Sequence, residues 1–434
     1  MISALRQSFN ASWTPAKYRA FLEALDQRVG THVHFRVCET PCFFPAALLE
    51  AIAVAGAELL EQLLASAEYR RASDATIPPE FNVPNEDERP LFAAVDFGLI
   101  RNERGELEPR LVEIQGFPSL YCFQVAVAQQ FVESYGLDPS LGVILGGAGV
   151  DDYYRALHSA IVGAHDPENV VLLEIDPLEQ KTLPDFFCTE RVCGIRTVNI
   201  RDVVKDGKGL SYAREGKRVP IRRIYNRAIV DELVRKEVAL PFRFTGPLDV
   251  EWAGHPNWFF RISKFALPYL KHRCVPETWF LDRLDSLPPD LENYVLKPLY
   301  SFAGLGVVVG PARADLDAIP PAQRHNYILQ RRMRFEPVIE TPHGPTQAEI
   351  RILYIAAIRD KGLGTRAQGL GARGEGLGAR KSGNPSRSTL APSPSSLAPW
   401  LLGPAIVRMG RGKMMGVDHN RDLEWVGASA ALVR

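Results

Sequence analysis

The stretch Tyr294-Val-Leu-Lys297-Pro-Leu-Tyr-Ser301-Phe-Ala303-Gly304-Leu-Gly306-Val-Val-Val-Gly310 sets the expectations for the whole chain. A short apolar strand ends in one lysine, enters a loop of small residues that leave N–H groups open, and departs through a β-branched run. That pattern suits a polyphosphate. Lys297 would stand at the lip of a sheet as a point charge, while Ser301, Ala303, Gly304 and Gly306 would let the main chain close over phosphate oxygens that a β-carbon would push away. The G-x-x-x-x-G-K-S/T spacing is missing and a strand follows the glycines, so the expected device is a flap between two strands and not a Walker loop. The competing reading is an ordinary glycine-containing hairpin with a surface lysine.

Toward the N-terminus, Leu91-Phe-Ala-Ala-Val-Asp96-Phe-Gly-Leu-Ile and Glu108-Pro-Arg-Leu-Val-Glu113-Ile-Gln115 flank the polar turn Arg101 to Gly105, which predicts a β-hairpin with one acid in each arm. A carboxylate in an apolar strand is costly unless a cation or a basic partner accompanies it. Magnesium takes hard oxygen ligands, and Gln115 shares a strand face with Glu113, so Asp96, Glu113 and Gln115 are candidate Mg²⁺ ligands. The alternative is a hairpin whose acids pair with arginines such as Arg101 and Arg110.

Toward the C-terminus, Asn326-Tyr-Ile-Leu-Gln330-Arg-Arg-Met333 has a backbone suited to the donor and acceptor edge of adenine. Gln347-Ala-Glu349-Ile-Arg351-Ile-Leu-Tyr-Ile alternates strictly and aims Glu349 and Arg351 to one side, facing polyphosphate or each other. Ala405-Ile-Val-Arg408-Met-Gly follows, then Asp418-His419-Asn420 and Gly427-Ala-Ser429. Upstream of the opening stretch, one helix is expected to carry Arg261, Ser263 and Lys264.

Between the hairpin and that helix the chain alternates strand and helix: Asn169 to Asp176, a helix from Lys181 to Thr189, Gly194 to Ile200, and Arg223-Ile-Tyr-Asn226-Arg227. This small α/β unit should open Glu174, Asp176, Asn226 and Arg227 toward a crevice, and without G-x-G-x-x-G it is no dinucleotide site. Near the N-terminus, Thr14-Pro15 starts one helix and the Ala/Leu-rich run after Phe44-Pro45 forms another. Between them Val33-His-Phe-Arg-Val alternates like a strand, with His32, His34 and Arg36 on the polar face.

With 434 residues, 46% hydrophobic and 24% charged, the chain can bury a large core in two or three lobes. Lysine plus arginine equal aspartate plus glutamate at 51 each, so no global field draws it to nucleic acid or an anionic membrane. No apolar leader or spanning run is present, which leads to the expectation of a cytoplasmic protein. The six cysteines form no CxxC and fit buried thiols. Cys38 and Cys42 alone are too few for a four-ligand metal set. Three tandem heptads beginning at Gly362, Gly369 and Gly376, then a Ser/Pro-rich run to Pro399, carry too little apolar surface for a seam and are expected to form a disordered insertion.

In motif order the chain resembles the ATP-grasp enzymes, specifically their circularly permuted branch, which includes glutathionylspermidine synthase-like proteins. Asp96 and Glu113-Ile-Gln115-Gly are similar to that family's metal-binding strands placed ahead of the nucleotide lobe, and Asn226-Arg227-Ala-Ile-Val-Asp231-Glu-Leu to its pre-ATP-grasp segment. Gln115 stands where the family prefers asparagine, and Gly427-Ala-Ser429 where a Gly-Gly pair is common. The resemblance implies an α/β fold with α+β lobes and a small Rossmann-like unit. Its divisions would be 1–165 (helices plus the metal-binding hairpin), 166–255 (the pre-ATP-grasp-like unit) and 256–434 (nucleotide lobes with the insertion 361–399). It implies ATP and Mg²⁺ as cofactors. Lys264 and Lys297 would lie on the α- and β-phosphates, Ser301 to Gly306 form the flap, Gln330 and Met333 border adenine, and Glu349 belong to the nucleotide site. Arg408, with Lys297 and Arg351, would be catalytic at the γ-phosphate. The implied reaction is a ligation in which a small-molecule or peptide carboxylate becomes an acyl-phosphate and is attacked by an amine or thiol. The other class is an ATP-binding regulatory or partner-binding protein of this fold without ligase activity, a possibility that Gln115 keeps open.

Overall fold

The computed structural model describes residues 1–300, 305–357, 397, 399–412, 415, 420 and 423–434. In chain order its strands are β1 (Cys42–Phe44), β2 (Phe92–Arg101), β3 (Leu107–Gln115), β4 (Val170–Glu174), β5 (Arg196–Asn199), β6 (Val204–Asp206), β7 (Gly209–Arg214), β8 (Lys217–Ile221) and β9 (Arg223–Asn226). There follow β10 (Glu251–Ala253), β11 (Thr278–Phe280), β12 (Tyr294–Pro298), β13 (Val308–Val309), β14 (Tyr327–Arg331), β15 (Gln347–Ala356), β16 (Trp400–Gly410) and β17 (Gly427–Val433). The largest sheet has the order β1-β17-β16-β15-β2-β3, so its strands come from both halves of the chain. No helix among the described residues is long and apolar enough to cross a membrane.

This sheet is covered on both faces, which is why β2 and β15 read as nearly unbroken apolar runs. Val95 and Phe97 of β2, Ile350 and Ile352 of β15 and Val407 of β16 pack with Leu49, Ile52 and Leu60 of the helix Ala46–Ala65. The alternate residues Ala94, Leu353 and Ile406 join Val127 and Phe131 of the helix Phe123–Ser134 and Phe21 and Leu25 of the helix Pro15–Val29. The latter helix begins as its sequence predicts: Thr14 Oγ1 accepts from Lys17 N at 3.2 Å, and Pro15 takes the first helical position.

A second sheet, β10-β9-β4-β5, is parallel throughout. The helix Leu183–Cys193 links β4 to β5 on one side, while β9 and then β10 add on the other. The strand order therefore reverses between β4 and β9, and a crevice opens beyond their C-terminal ends. A third sheet, β11-β14-β12-β13, is antiparallel and carries Lys297, while β6-β7-β8 forms a small meander.

Two local expectations are corrected. Val33 to Val37 is no strand: Val37 alone makes a bridge, to Ala428, because β1 already occupies the adjoining edge of β17 from Ala431 to Val433. The alternation is one of burial only, with Val33 and Val37 inside and His32 and His34 outside. Nor do Arg261, Ser263 and Lys264 share a helix. A four-residue α-helix, Trp258–Arg261, ends at the extended Ile262, and Ser263 then caps a 3₁₀ segment, Lys264–Tyr269, which holds Pro268. The break frees the carbonyl of Ile262 to accept from Gly116 N at 2.8 Å. A Cβ on Gly116 would lie 2.4 Å from the Trp258 carbonyl oxygen, so only glycine permits this approach.

Candidate functional site

Three strand registers bring the charged residues of the large sheet together. Asp96 lies opposite Glu113 across β2–β3 and opposite Arg351 across β2–β15, and Glu349 lies opposite Arg408 across β15–β16. Asp96 is 1% exposed. Its carboxylate receives Arg351 bidentately, Nε at 2.6 Å and Nη2 at 2.7 Å, and also Arg408 Nη2. Arg351 Nη2 reaches Glu113 at 3.4 Å, and Arg408 Nη2 also bonds Glu349. Burial alone would raise the Asp96 pKa, but the two guanidiniums outweigh it and hold the carboxyl below its usual range. Glu349 is pushed up to about 7, chiefly by burial, with the pull of Arg408 opposing.

The antiparallel sheet adds two lysines. Lys297 is buried, and its Nζ donates to Gln330 Oε1 at 2.6 Å and to the Val112 carbonyl of β3 at 3.0 Å. Burial, with Lys264 nearby, lowers the Lys297 pKa to about 8 against the opposing pull of Glu113. Lys264 Nζ is 3.7 Å from Glu113 Oε2. Four cations, Arg351, Arg408, Lys264 and Lys297, thus meet three carboxylates, Asp96, Glu113 and Glu349, leaving an excess of positive charge. The hairpin's acids do have basic partners, but these are not the arginines nearest in sequence. Arg101 pairs with Glu336 and Arg110 with Glu108.

The remaining candidates fall as follows. Gln115 is beside Glu113 but donates its amide N–H to that carboxylate. Met333 is half-buried just past β14, where the N–H groups of Arg331 and Arg332 are already taken by Glu277 O and Asn293 O, each at 2.7 Å. Gly306 has φ +72°, and a Cβ there would come 2.9 Å from Pro298 Cγ, so a turn requirement by itself accounts for this glycine. Ser301, Ala303 and Gly304 lie outside the described residues, as do Lys413, Asp418, His419 and, apart from Leu397 and Pro399, the insertion 361–399.

Glu113, Gln115, Phe117, Lys264, Leu299 and Tyr300 line a partly open pocket of about 20 Å³, room for a water molecule and not for a nucleotide. Nor do the residues as placed fit a magnesium ion. Both Asp96 oxygens face guanidinium groups, Gln115 presents N–H toward Glu113, and no three His, Cys, Asp or Glu side chains among the described residues converge on one point.

Phe117 also touches a polar group at the end of β9. Arg227, at the end of β9 and 3% exposed, stacks 4.9 Å over the Phe117 ring. Its Nη2 makes long contacts with Ser119 Oγ (3.4 Å) and Thr182 Oγ1 (3.5 Å), while Nε and Nη1 have no acceptor among the described residues. The adjoining Asn226 Oδ1 is likewise buried without a donor. Glu174, at the end of β4, is buried nearby, and burial pushes it up to about 8 although Arg227 pulls the other way. Asp185 fixes the loop that carries Ser119 by accepting from Leu120 N, Cys122 N and Phe123 N at 2.9–3.0 Å. The sequence placed Glu174 and Asn226-Arg227 at strand ends; it did not show that Asn226 Oδ1 and two Arg227 nitrogens are buried without partners among the described residues, with Phe117 and Phe186 stacked on the guanidinium.

These features define a mixed α/β fold of several sheets, with a buried cationic cluster between two of the sheets. Among solved structures the chain is similar to a glutathione synthetase-like effector from Globodera pallida in its apo form, with a TM-score of 0.55 and 12% identity, over 97% of this chain and 99% of the other. At that identity the likeness is one of fold alone. No protein-family model and no curated protein matches the sequence.

Proposed function

We propose that the chain is an ATP-dependent ligase of the circularly permuted ATP-grasp kind, joining a carboxylate to an amine or thiol through an acyl-phosphate. The observation that carries this is the convergence of Arg351, Arg408, Lys264 and Lys297 in a buried cleft, where an excess of positive charge would hold a triphosphate. Arg408, whose side chain is the more exposed of the two guanidiniums, would turn from Asp96 and Glu349 onto the γ-phosphate. Lys264 and Lys297 would take the α- and β-phosphates, Arg351 would keep the sheet end in register, and Gln330 and Met333 would border the base. Admission of the nucleotide requires Lys297 to leave Val112 and the antiparallel sheet to draw back from β3. Mg²⁺ enters this proposal only as part of the nucleotide substrate. The permuted order is supported by a sheet in which β2–β3 pairs with β15–β17, and the Rossmann-like unit and division near residues 166–255 by the parallel sheet β4–β10.

Arg227 suggests the acid. A guanidinium with two unpaired nitrogens would bind a carboxylate, while Glu174 and the Asn226 amide oxygen would accept from an ammonium group. That set matches the zwitterionic head of an amino acid or peptide, with Phe117 both under Arg227 and in the lining of the small cavity beside Glu113 and Lys264. In the reaction an oxygen of the second carboxylate of such a molecule attacks the γ-phosphorus and ADP leaves. The amine or thiol then attacks the acyl carbon, phosphate departs, and the nucleophile's proton passes to solvent.

The test is ADP release from ATP with a panel of amino-acid and peptide acids paired with amines and thiols, alongside calorimetry of ATP binding. Release that requires both an acid and a nucleophile is expected; a folded chain that binds no ATP would refute the proposal. The bidentate hold of Arg351 on Asp96 favours one second reading, a nucleotide-binding protein without turnover. That reading predicts ATP binding with no ADP release under any pairing.

A further inference from the structure

On the opposite face of β16 from Arg408, three sulfur atoms meet in the core. Cys38, Cys42 and Met409 are all 0% exposed, and each thiol Sγ lies 3.5 Å from the Met409 thioether Sδ. Met409 is paired with Gly427 of β17, and β1, which carries Cys42, is paired with the far edge of β17, so the cluster straddles three strands. Cys38 is pinned beside them through its N–H to Ala428 O at 2.7 Å.

An independent observation concerns Arg6. Only 2% exposed, it donates Nη1 to the Pro41 carbonyl at 3.0 Å and sits over the Phe9 and Phe43 rings at 4.8 and 5.4 Å. Its Nε and Nη2 have no acceptor among the described residues, and the acidic groups that act on it electrostatically are Cys42 and Cys38. With both cysteines as neutral thiols this guanidinium is a buried charge without a counter-ion, an expensive arrangement.

We propose that Cys38, Cys42 and Met409 form a three-sulfur site for a soft monovalent cation, copper(I), with Arg6 supplying the balancing charge. Two thiolates and a thioether are the ligands that select copper(I) over harder ions. Zinc takes four ligands, usually nitrogen or thiolate, and among the described residues no histidine or carboxylate completes a set here. On binding, each thiol gives its proton to solvent as its sulfur bonds to the metal. The copper centre then carries one negative charge, which the Arg6 guanidinium cancels. With metal–sulfur bonds of about 2.3 Å, a trigonal site spaces its sulfurs roughly 4 Å apart. The two 3.5 Å contacts therefore need to widen only slightly.

The reduced full-length chain, stripped of metal, is titrated anaerobically with copper(I) against the competing chelator bicinchoninate. Captured copper and the ultraviolet thiolate-to-copper absorption are read together. Wild type is expected to withdraw one equivalent; Cys42→Ser should withdraw none, and Met409→Leu, which preserves core volume, should bind at least tenfold more weakly while melting as a folded protein. Failure of wild type to withdraw copper, or capture and absorption by either folded variant equal to those of wild type, would overturn the assignment.

Discussion

Asp96→Asn gives the sharpest test of how the cationic cleft works. In the free protein Asp96 is the shared counter-ion of Arg351 and Arg408, so a triphosphate must compete with it for Arg408. The substitution keeps the side-chain shape and one acceptor oxygen but removes a unit of negative charge beside the incoming phosphates. Two unit charges 4 Å apart are worth about 4 kcal/mol at an effective dielectric of 20, and part of that is lost to relaxation, so metal-free triphosphate should bind roughly ten- to a hundredfold more tightly. Stability should move the other way, because breaking a buried ion pair costs about 3–5 kcal/mol. Calorimetry with inorganic triphosphate and with ATP, both in EDTA, measures the affinity, and thermal melts with and without ligand measure the stability. Tightening together with a lowered melting temperature is expected. Unchanged or weaker binding by a folded variant would show that Asp96 does not compete with phosphate. If turnover by wild type is established, the same variant should also lose it, since charge placement at the γ-phosphate is disturbed.

Lys297 should impose a pH dependence on ATP affinity. Burial lowers its pKa to about 8, so the charged form that holds phosphate is present below that value and is lost as pH rises through it. Affinity measured by calorimetry should fall between about pH 7 and 9 in wild type and be weak and flat in Lys297→Met; a wild-type profile that is flat across this range would exclude the lysine from the site. Arg227→Met should raise the KM for the acid substrate at least tenfold while ATP affinity stays unchanged, and an equal loss of ATP binding would mean that the two sites are one. Deleting residues 361–396 behind a short glycine linker, which keeps Leu397 against the core and its carbonyl on Trp400 N, should leave the melting temperature and ATP binding intact, because Ala357 N already donates to Pro399 O at 2.7 Å and the flanks need no spanning. A melting temperature lowered by more than a few degrees would show that the segment packs.

Much of the central sheet was legible because charge interrupts its period-two pattern. Asp96 in β2 and Glu349 and Arg351 in β15 are conspicuous in apolar strands, and alternation alone puts Glu349 and Arg351 on one face. What alternation does not supply is the partner. Arg351 and Arg408 reach Asp96 across 255 and 312 positions of sequence, so nearer arginines looked equally eligible. The same limit hid the Lys297–Gln330 bond and the meeting of Met409 with Cys38 and Cys42. Val33 to Val37 misled for the opposite reason: its burial alternates beside a neighbouring strand without the ladder that alternation usually accompanies. Around Ile262 the helical composition lost to a tertiary hydrogen bond from Gly116, which no local propensity encodes.

The order β1-β17-β16-β15-β2-β3 also dictates when the protein becomes able to fold. Gly98 of β2 pairs with Arg110 within the hairpin on one side but with Glu349 of β15 on the other, so the hairpin leaves the ribosome long before the strand for its second edge exists. At synthesis rates of about 5–20 residues per second that interval is roughly 12–50 seconds. Throughout it the nascent chain carries an unpaired, largely apolar β2 edge, the kind of surface that recruits other strands. The yield of native protein in an expression host should therefore respond to translation speed and holdase supply.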